Sequence, residues 1–131
     1  MLEKERLTAK KSAMHELGIA ESILDRARQE SAQRGGARLL KVGVRIGELS
    51  GVDPDALSFG FEALVKDTLL EGLALDIDFR KRVQRCSACH REFAADMPFS
   101  SCPGCGSAAT VCISGDELDI TYIELEEPAC A

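Results

Sequence analysis

Apolar residues fall into a regular pattern from position 17 onward. Leu17, Ala20, Ile23, Leu24 and Ala27 recur at three- and four-residue spacing, one apolar stripe of a helix expected from Leu17 to about Gln33. Glu21, Asp25, Arg26, Arg28 and Glu30 supply its wet faces. Gly35-Gly36 ends it, since glycine accepts the left-handed conformation past a helix C-terminus. The period then drops to two. In "LKVGVRIGEL", Leu40, Val42, Val44 and Ile46 alternate with Lys41, Gly43, Arg45 and Gly47, as in a strand with one buried face. "SGVDP" breaks the strand. Asp53 before Pro54 offers an N-cap and a proline at the first helical position. The second helix places Leu57, Phe61, Leu64, Val65 and Thr68 on its inner face. After Glu71-Gly72, Leu73, Leu75, Ile77 and Phe79 alternate with Asp76 and Asp78, a second strand. Strand, helix, strand in succession predicts a right-handed crossover between parallel strands. A third strand is expected from Glu117 to Glu126, with Leu118, Ile120 and Tyr122 alternating with Asp119 and Thr121.

Between the second and third strands lies "CSACHREFAADMPFSSCPGCG". Cys86 and Cys89 make one C-x-x-C pair, Cys102 and Cys105 another, with twelve residues between the pairs. A C-x-x-C turn puts two sulfurs on one side of a knuckle, and two facing knuckles complete a tetrahedron. The glycines of "PGCG" allow a tight second turn. Zinc is the default metal for four thiolates. A rubredoxin-like iron site uses the same sulfurs, and two redox dithiols are the alternative without a metal. His90, next to Cys89, reads as a surface residue of the knuckle, with a ligand role as the alternative. Cys112 reads as a small buried residue and Cys130 as an exposed residue of the tail.

Composition narrows the function classes. In 131 residues, 45% hydrophobic content suffices for a core, which 5% aromatics and no Trp make mostly aliphatic. The net charge is −6, and the first thirteen residues carry four Lys/Arg against two Glu, so the remaining body is more acidic still. Such a body repels phosphate backbones and speaks against nucleic acid as a partner. The basic run "FRKRVQR" (Phe79 to Arg85) reads as a solvated strand end; its rival reading belongs to a zinc-ribbon nucleic-acid- or protein-binding module. No stretch approaches the roughly 20 apolar residues of a membrane span. The N-terminal segment has no apolar signal region, so a cytoplasmic protein is expected, and cysteines in a reducing compartment read as metal ligands. No phosphate-binding G-x-x-x-x-G-K-S/T loop and no nucleophile paired with a histidine is present, which points to a protein that is not an enzyme.

His15 stands just before the first apolar helical residue. A helix start disfavours a cation, so the neutral, metal-binding imidazole is favoured there. Glu16 beside it suits an N-terminus and offers oxygen. Spacing alone leaves open whether this is a helix start with an incidental histidine or a metal site.

"MHELGIAESIL", "VRIGELSGVDPDALSFGFEAL", the C-x-x-C pairs with "CPGCG", and "ELDITYIELEE" together resemble the HypA/HybF family, nickel metallochaperones of NiFe-hydrogenase maturation. The resemblance runs from Met14 to about Glu127. It implies an α/β (α+β-like) fold, two helices on a three-stranded mixed sheet with an inserted zinc-ribbon-like domain built on four cysteines. The expected parts are a polar extension over 1–13, a nickel-binding domain over 14–84 plus 115–127, and a zinc domain over 85–114. The resemblance also implies nickel, Ni(II), as transient cargo on His15, with Met14 and Glu16 as further candidates. Structural zinc is implied on Cys86, Cys89, Cys102 and Cys105. The implied partners are a HypB-type GTPase accessory protein, the hydrogenase large-subunit precursor and urease maturation factors, with the chain a monomer or homodimer. In the family the motif is N-terminal, where a free amine and the first amide join the histidine in square-planar chelation. Here thirteen residues precede Met14 and are read as a start-site artefact or tag remnant.

Overall fold

The computed structural model describes residues 5–6, 15–95 and 101–126. Met14, Cys130 and most of the expected N-terminal extension lie outside them. The elements are β1 (Glu5–Arg6), α1 (His15–Gln33), β2 (Leu39–Gly47), a 3-10 turn (Glu48–Ser50), α2 (Pro54–Val65), β3 (Ala74–Arg80), β4 (Val83–Cys86), β5 (Glu92–Ala94), β6 (Thr110–Ser114) and β7 (Leu118–Leu125).

The three expected strands form a mixed sheet. β2 runs parallel to β3, as a helical crossover requires, and antiparallel to β7. Glu5–Arg6 lies within the segment read as an extension, and it adds a short edge strand opposite Ile120 and Asp119 of β7. Pairing of this kind satisfies backbone groups that an open edge would leave to water. β4, β5 and β6 form a separate three-stranded sheet in the order β5-β4-β6.

Both helices pack on one face of the mixed sheet. Ile19, Ala20, Ile23, Leu24 and Ala27 of α1 meet Leu57, Phe61 and Val65 of α2 over Val42, Val44 and Ile46 of β2 and Leu118 and Ile120 of β7. Each fully buried large aliphatic side chain contributes roughly 1.5–3 kcal/mol relative to exposure. Asp53 caps α2 as its sequence foretold, its carboxylate accepting from the Asp55 and Ala56 amides at 2.9 and 3.4 Å.

Several expected positions come out differently, among them Phe79, which is exposed, and Asp119, which is buried. Glu30 is buried, not on a wet face, and lies between Arg26 at 3.6 Å and Arg34 at 3.2 Å. These partners offset the cost of taking a carboxylate out of water. Thr68 lies past the end of α2, where its hydroxyl donates to the Val65 carbonyl at 2.6 Å and accepts from the Leu70 amide. Cys112 is exposed instead of buried. Tyr122 does not share a face with Ile120. The register of β2 on β7 slips between Gly43 and Val44, pairing Val44 with Ile120 but Gly43 with Tyr122. Thr121 is the extra residue of this bulge, so Ile123 returns to the helix side, opposite Val42. Tyr122 instead lies across Gly43 and donates a hydrogen bond to Asp76 of β3.

Candidate metal centre

Cys86 closes β4, and the chain turns at once. The His90 amide donates to the Cys86 carbonyl at 2.9 Å, the Cys86 amide to the Arg91 carbonyl at 2.9 Å, and the Cys89 amide to the Cys86 sulfur at 3.4 Å. The second knuckle repeats the pattern. The Gly106 amide donates to the Cys102 carbonyl at 2.8 Å, the Cys102 amide to the Ser107 carbonyl at 2.9 Å, and the Gly104 amide to the Cys102 sulfur at 3.3 Å. His90 thus occupies the place that Gly106 holds in the other knuckle, and both have left-handed backbone, at φ 65° and 76°. Histidine is among the side chains that enter this region more often. Its imidazole is exposed, in line with the surface reading.

The two knuckles face each other. All four sulfurs lie within 4.8 Å of one another. Cys86 Sγ is 3.5 Å from Cys105 Sγ, and Cys89 Sγ is 3.6 Å from Cys102 Sγ. A tetrahedron of sulfurs about 2.3 Å from a zinc ion has edges of about 3.8 Å, so the donor set fits that ion in type and size. Cys86 and Cys102 are buried, while Cys89 and Cys105 reach the surface.

The knuckle amides prepare the inner sulfurs for metal. The Cys89 backbone N–H holds the Cys86 thiol down to about 6, and the Cys105 backbone N–H likewise lowers Cys102. The Ser107 N–H pulls Cys105 the same way. Contact with the Cys86 sulfur and burial overcome it and push Cys105 up to about 11. A bound cation is what lets all four be thiolates together.

His15 is not part of this cluster. It is the first residue of α1, with Nδ1 3.9 Å from Glu16 Oε2. Glu16 also accepts from the Asp53 amide at 3.3 Å and so ties the start of α1 to the cap of α2. His15 Nε2 is buried and meets no hydrogen-bond partner among the described residues. Among the described residues, the four cysteines form the one group of three or more His, Cys, Asp or Glu side chains placed to share a metal, and no third such side chain joins His15 and Glu16.

The basic run is dismantled by the fold. Arg80 pairs with Asp78 at 2.9 Å, Arg85 pairs with Glu92 at 2.7 Å, and Arg82 is buried with its guanidinium donating to Gln84. It presents no continuous cationic face to a phosphate backbone.

An α+β sheet bearing a four-thiolate knuckle pair defines a small metal-binding protein. The family model described as hydrogenase/urease nickel incorporation, metallochaperone, hypA matches residues 14–125, and the chain belongs to this HypA family. A hydrogenase maturation factor HypA of Solidesulfovibrio magneticus is 45% identical over 117 residues, covering 86% of this chain and all of that protein. A counterpart of the same name from Geobacter sp. strain M21 is 41% identical over 113 residues, again 86% of this chain and all of the relative. Two solved structures share the fold. A solution structure of HypA protein has a TM-score of 0.64 at 23% identity, covering 89% of this chain and 100% of that one. The solution structure of the Ni metallochaperone HypA from Helicobacter pylori has a TM-score of 0.55 at 22% identity, covering 86% and 98%.

Proposed function

We propose that this chain carries Ni(II) at the start of α1 and delivers it to the NiFe-hydrogenase large-subunit precursor, while zinc resides on Cys86, Cys89, Cys102 and Cys105. His15 is the nickel ligand in this reading, with Met14 and Glu16 beside it. The observation that carries it is the buried Nε2 of His15, which has no partner among the described residues. A buried imidazole nitrogen without a partner is costly, and a metal ion relieves that cost. The family's nickel-incorporation role supports the same reading.

The two donor sets suit different tasks. Four thiolates close a coordination sphere, so the zinc ion stays and orders its module. A site with few protein ligands leaves positions open, and its metal passes onward by ligand exchange. A GTPase of the HypB type would supply any nucleotide hydrolysis, and urease maturation factors are further candidate recipients. The work belongs in the cytoplasm, where thiols stay reduced. The nickel-binding part is 14–84 with 115–127, and the zinc part is 85–114.

Metal analysis by plasma mass spectrometry, before and after adding Ni(II), tests both assignments. Wild type and His15→Ala are each expected to hold about one zinc per chain. Nickel is expected to bind the wild type and to be largely lost from His15→Ala. Undiminished nickel in that variant would remove His15 from the site. Zinc surviving in Cys86→Ser would remove the tetrathiolate assignment.

A further inference from the structure

The cysteine module joins the mixed sheet through two short segments. Lys81 and Arg82 lead from β3 into β4, and Gly115, Asp116 and Glu117 lead from β6 into β7. Both are fastened to the same place, the turn that follows β2. On the returning segment, the Gly47 amide donates to the Glu117 carbonyl and the Leu49 amide to the Gly115 carbonyl, each at 2.7 Å. On the outgoing segment, the Arg82 amide donates to Glu48 Oε1 at 2.9 Å. The returning turn is further held by Glu117, whose carboxylate accepts from the Gly115 amide at 2.8 Å.

The backbones are pressed together. A Cβ on Gly47 would lie 2.2 Å from the Gly115 carbonyl group, and one on Gly115 would lie 2.6 Å from Arg82 Cα. Gly115 also has φ 109°, which side chains rarely adopt. Arg82 and Gly115 are both buried. Three segments distant in sequence therefore meet without intervening side chains, the opposite of a flexible linker.

We propose that the Gly47–Leu49 turn is a clamp that makes the cysteine module and the helix-bearing sheet tumble as one rigid body, with Glu48 as the positioning residue for the outgoing strand. The returning segment is hydrogen-bonded to this turn by two backbone bonds, whereas the outgoing segment's bond to it comes from one side chain. Loss of Glu48 frees one of the two strands and lets the module pivot on the other. The orientation of the four-thiolate centre relative to the start of α1 is then set by this joint. The clamp acts in the same way whichever metal the protein carries.

Residual dipolar couplings of backbone amides, measured on the full zinc-loaded chain in one alignment medium, test this. In the wild type, couplings from Val83–Ser114 and from the mixed sheet should fit a single alignment tensor. In Glu48→Ala, the module's couplings should shrink and require a tensor of their own. Glu48 is exposed, so its truncation leaves the core intact. Glu48→Gln keeps an oxygen that accepts the Arg82 amide, and should restore the wild-type pattern. Separate tensors in the wild type, or unchanged couplings in Glu48→Ala, would overturn the proposal.

Discussion

Tyr122 shows how one side chain's chemistry is set by strands far apart in sequence. Its phenol donates to the Asp76 carboxylate. That bond, with burial and the Asp76 charge behind it, pushes the phenol up to about 12. Ionisation breaks the bond, so the stability contributed here is fully present below the ordinary value of 10.0 and lost as pH rises through about 12. The chain has one tyrosine and no tryptophan, so phenolate absorbance reads Tyr122 directly. A midpoint near 12 is expected for the wild type, moving down toward 10 in Asp76→Asn; an unchanged midpoint in the variant would rule the bond out as the cause. Gly43 is the other half of this arrangement. A Cβ there would sit 2.0 Å from Tyr122 Cε1, so the ring must move. Gly43→Ala should cost about 1–3 kcal/mol in urea unfolding, less when combined with Tyr122→Ala. The sequence placed Gly43 and Tyr122 in strands but not against each other, because the bulge at Thr121 exists only once β7 pairs with β2.

At the scale of elements, signals confined to a few neighbouring residues survived folding. The Asp53-Pro54 start of α2 was legible because an N-cap acts within three residues. Asp53→Ala removes the acceptor for the Asp55 and Ala56 amides and should cost about 1 kcal/mol, read as a lower urea midpoint with an unchanged slope. The end of α2 was less legible. Thr68 continues the apolar spacing, yet its hydroxyl bonds the Val65 carbonyl and serves the turn. Glu30 failed for a different reason. Periodicity sorts residues by polarity, and a glutamate flanked four residues away on each side by arginine can enter the interior with its charge paired. The cysteine knuckles are the strongest local signal, since the spacing of each pair and its turn bonds lie within a few residues. Their facing each other across residues 90–101 was an inference from chemistry, and the sulfur distances agree with it.

On the scale of the molecule, the two parts are stabilised by different means. The mixed sheet has a core of aliphatic side chains under two helices. Among the described residues of 83–114, the buried apolar ones are Cys86, Ala95 and Cys102, too few to hold a fold by themselves. A chelator that strips the metal should therefore collapse the amide dispersion of 83–114 while helical circular dichroism persists. A module that stays folded without metal would contradict this account. The sequence by itself determined the order of the two helices and the three long strands, the parallel crossover, the cap of α2 and the two cysteine pairs. It also singled out His15, through a resemblance that spans most of the chain. These rest on periodicity, spacing and local hydrogen bonds, which act between near neighbours. Only the tertiary structure decided the slipped register that turns Tyr122 outward, the burial of Glu30, the exposure of Cys112 and the burial of His15 Nε2. The clamp of Glu48 on Arg82 belongs with them. Each depends on segments tens of residues apart, or on packing around a helix, whose meeting is fixed by the summed packing of the core and not by any local pattern.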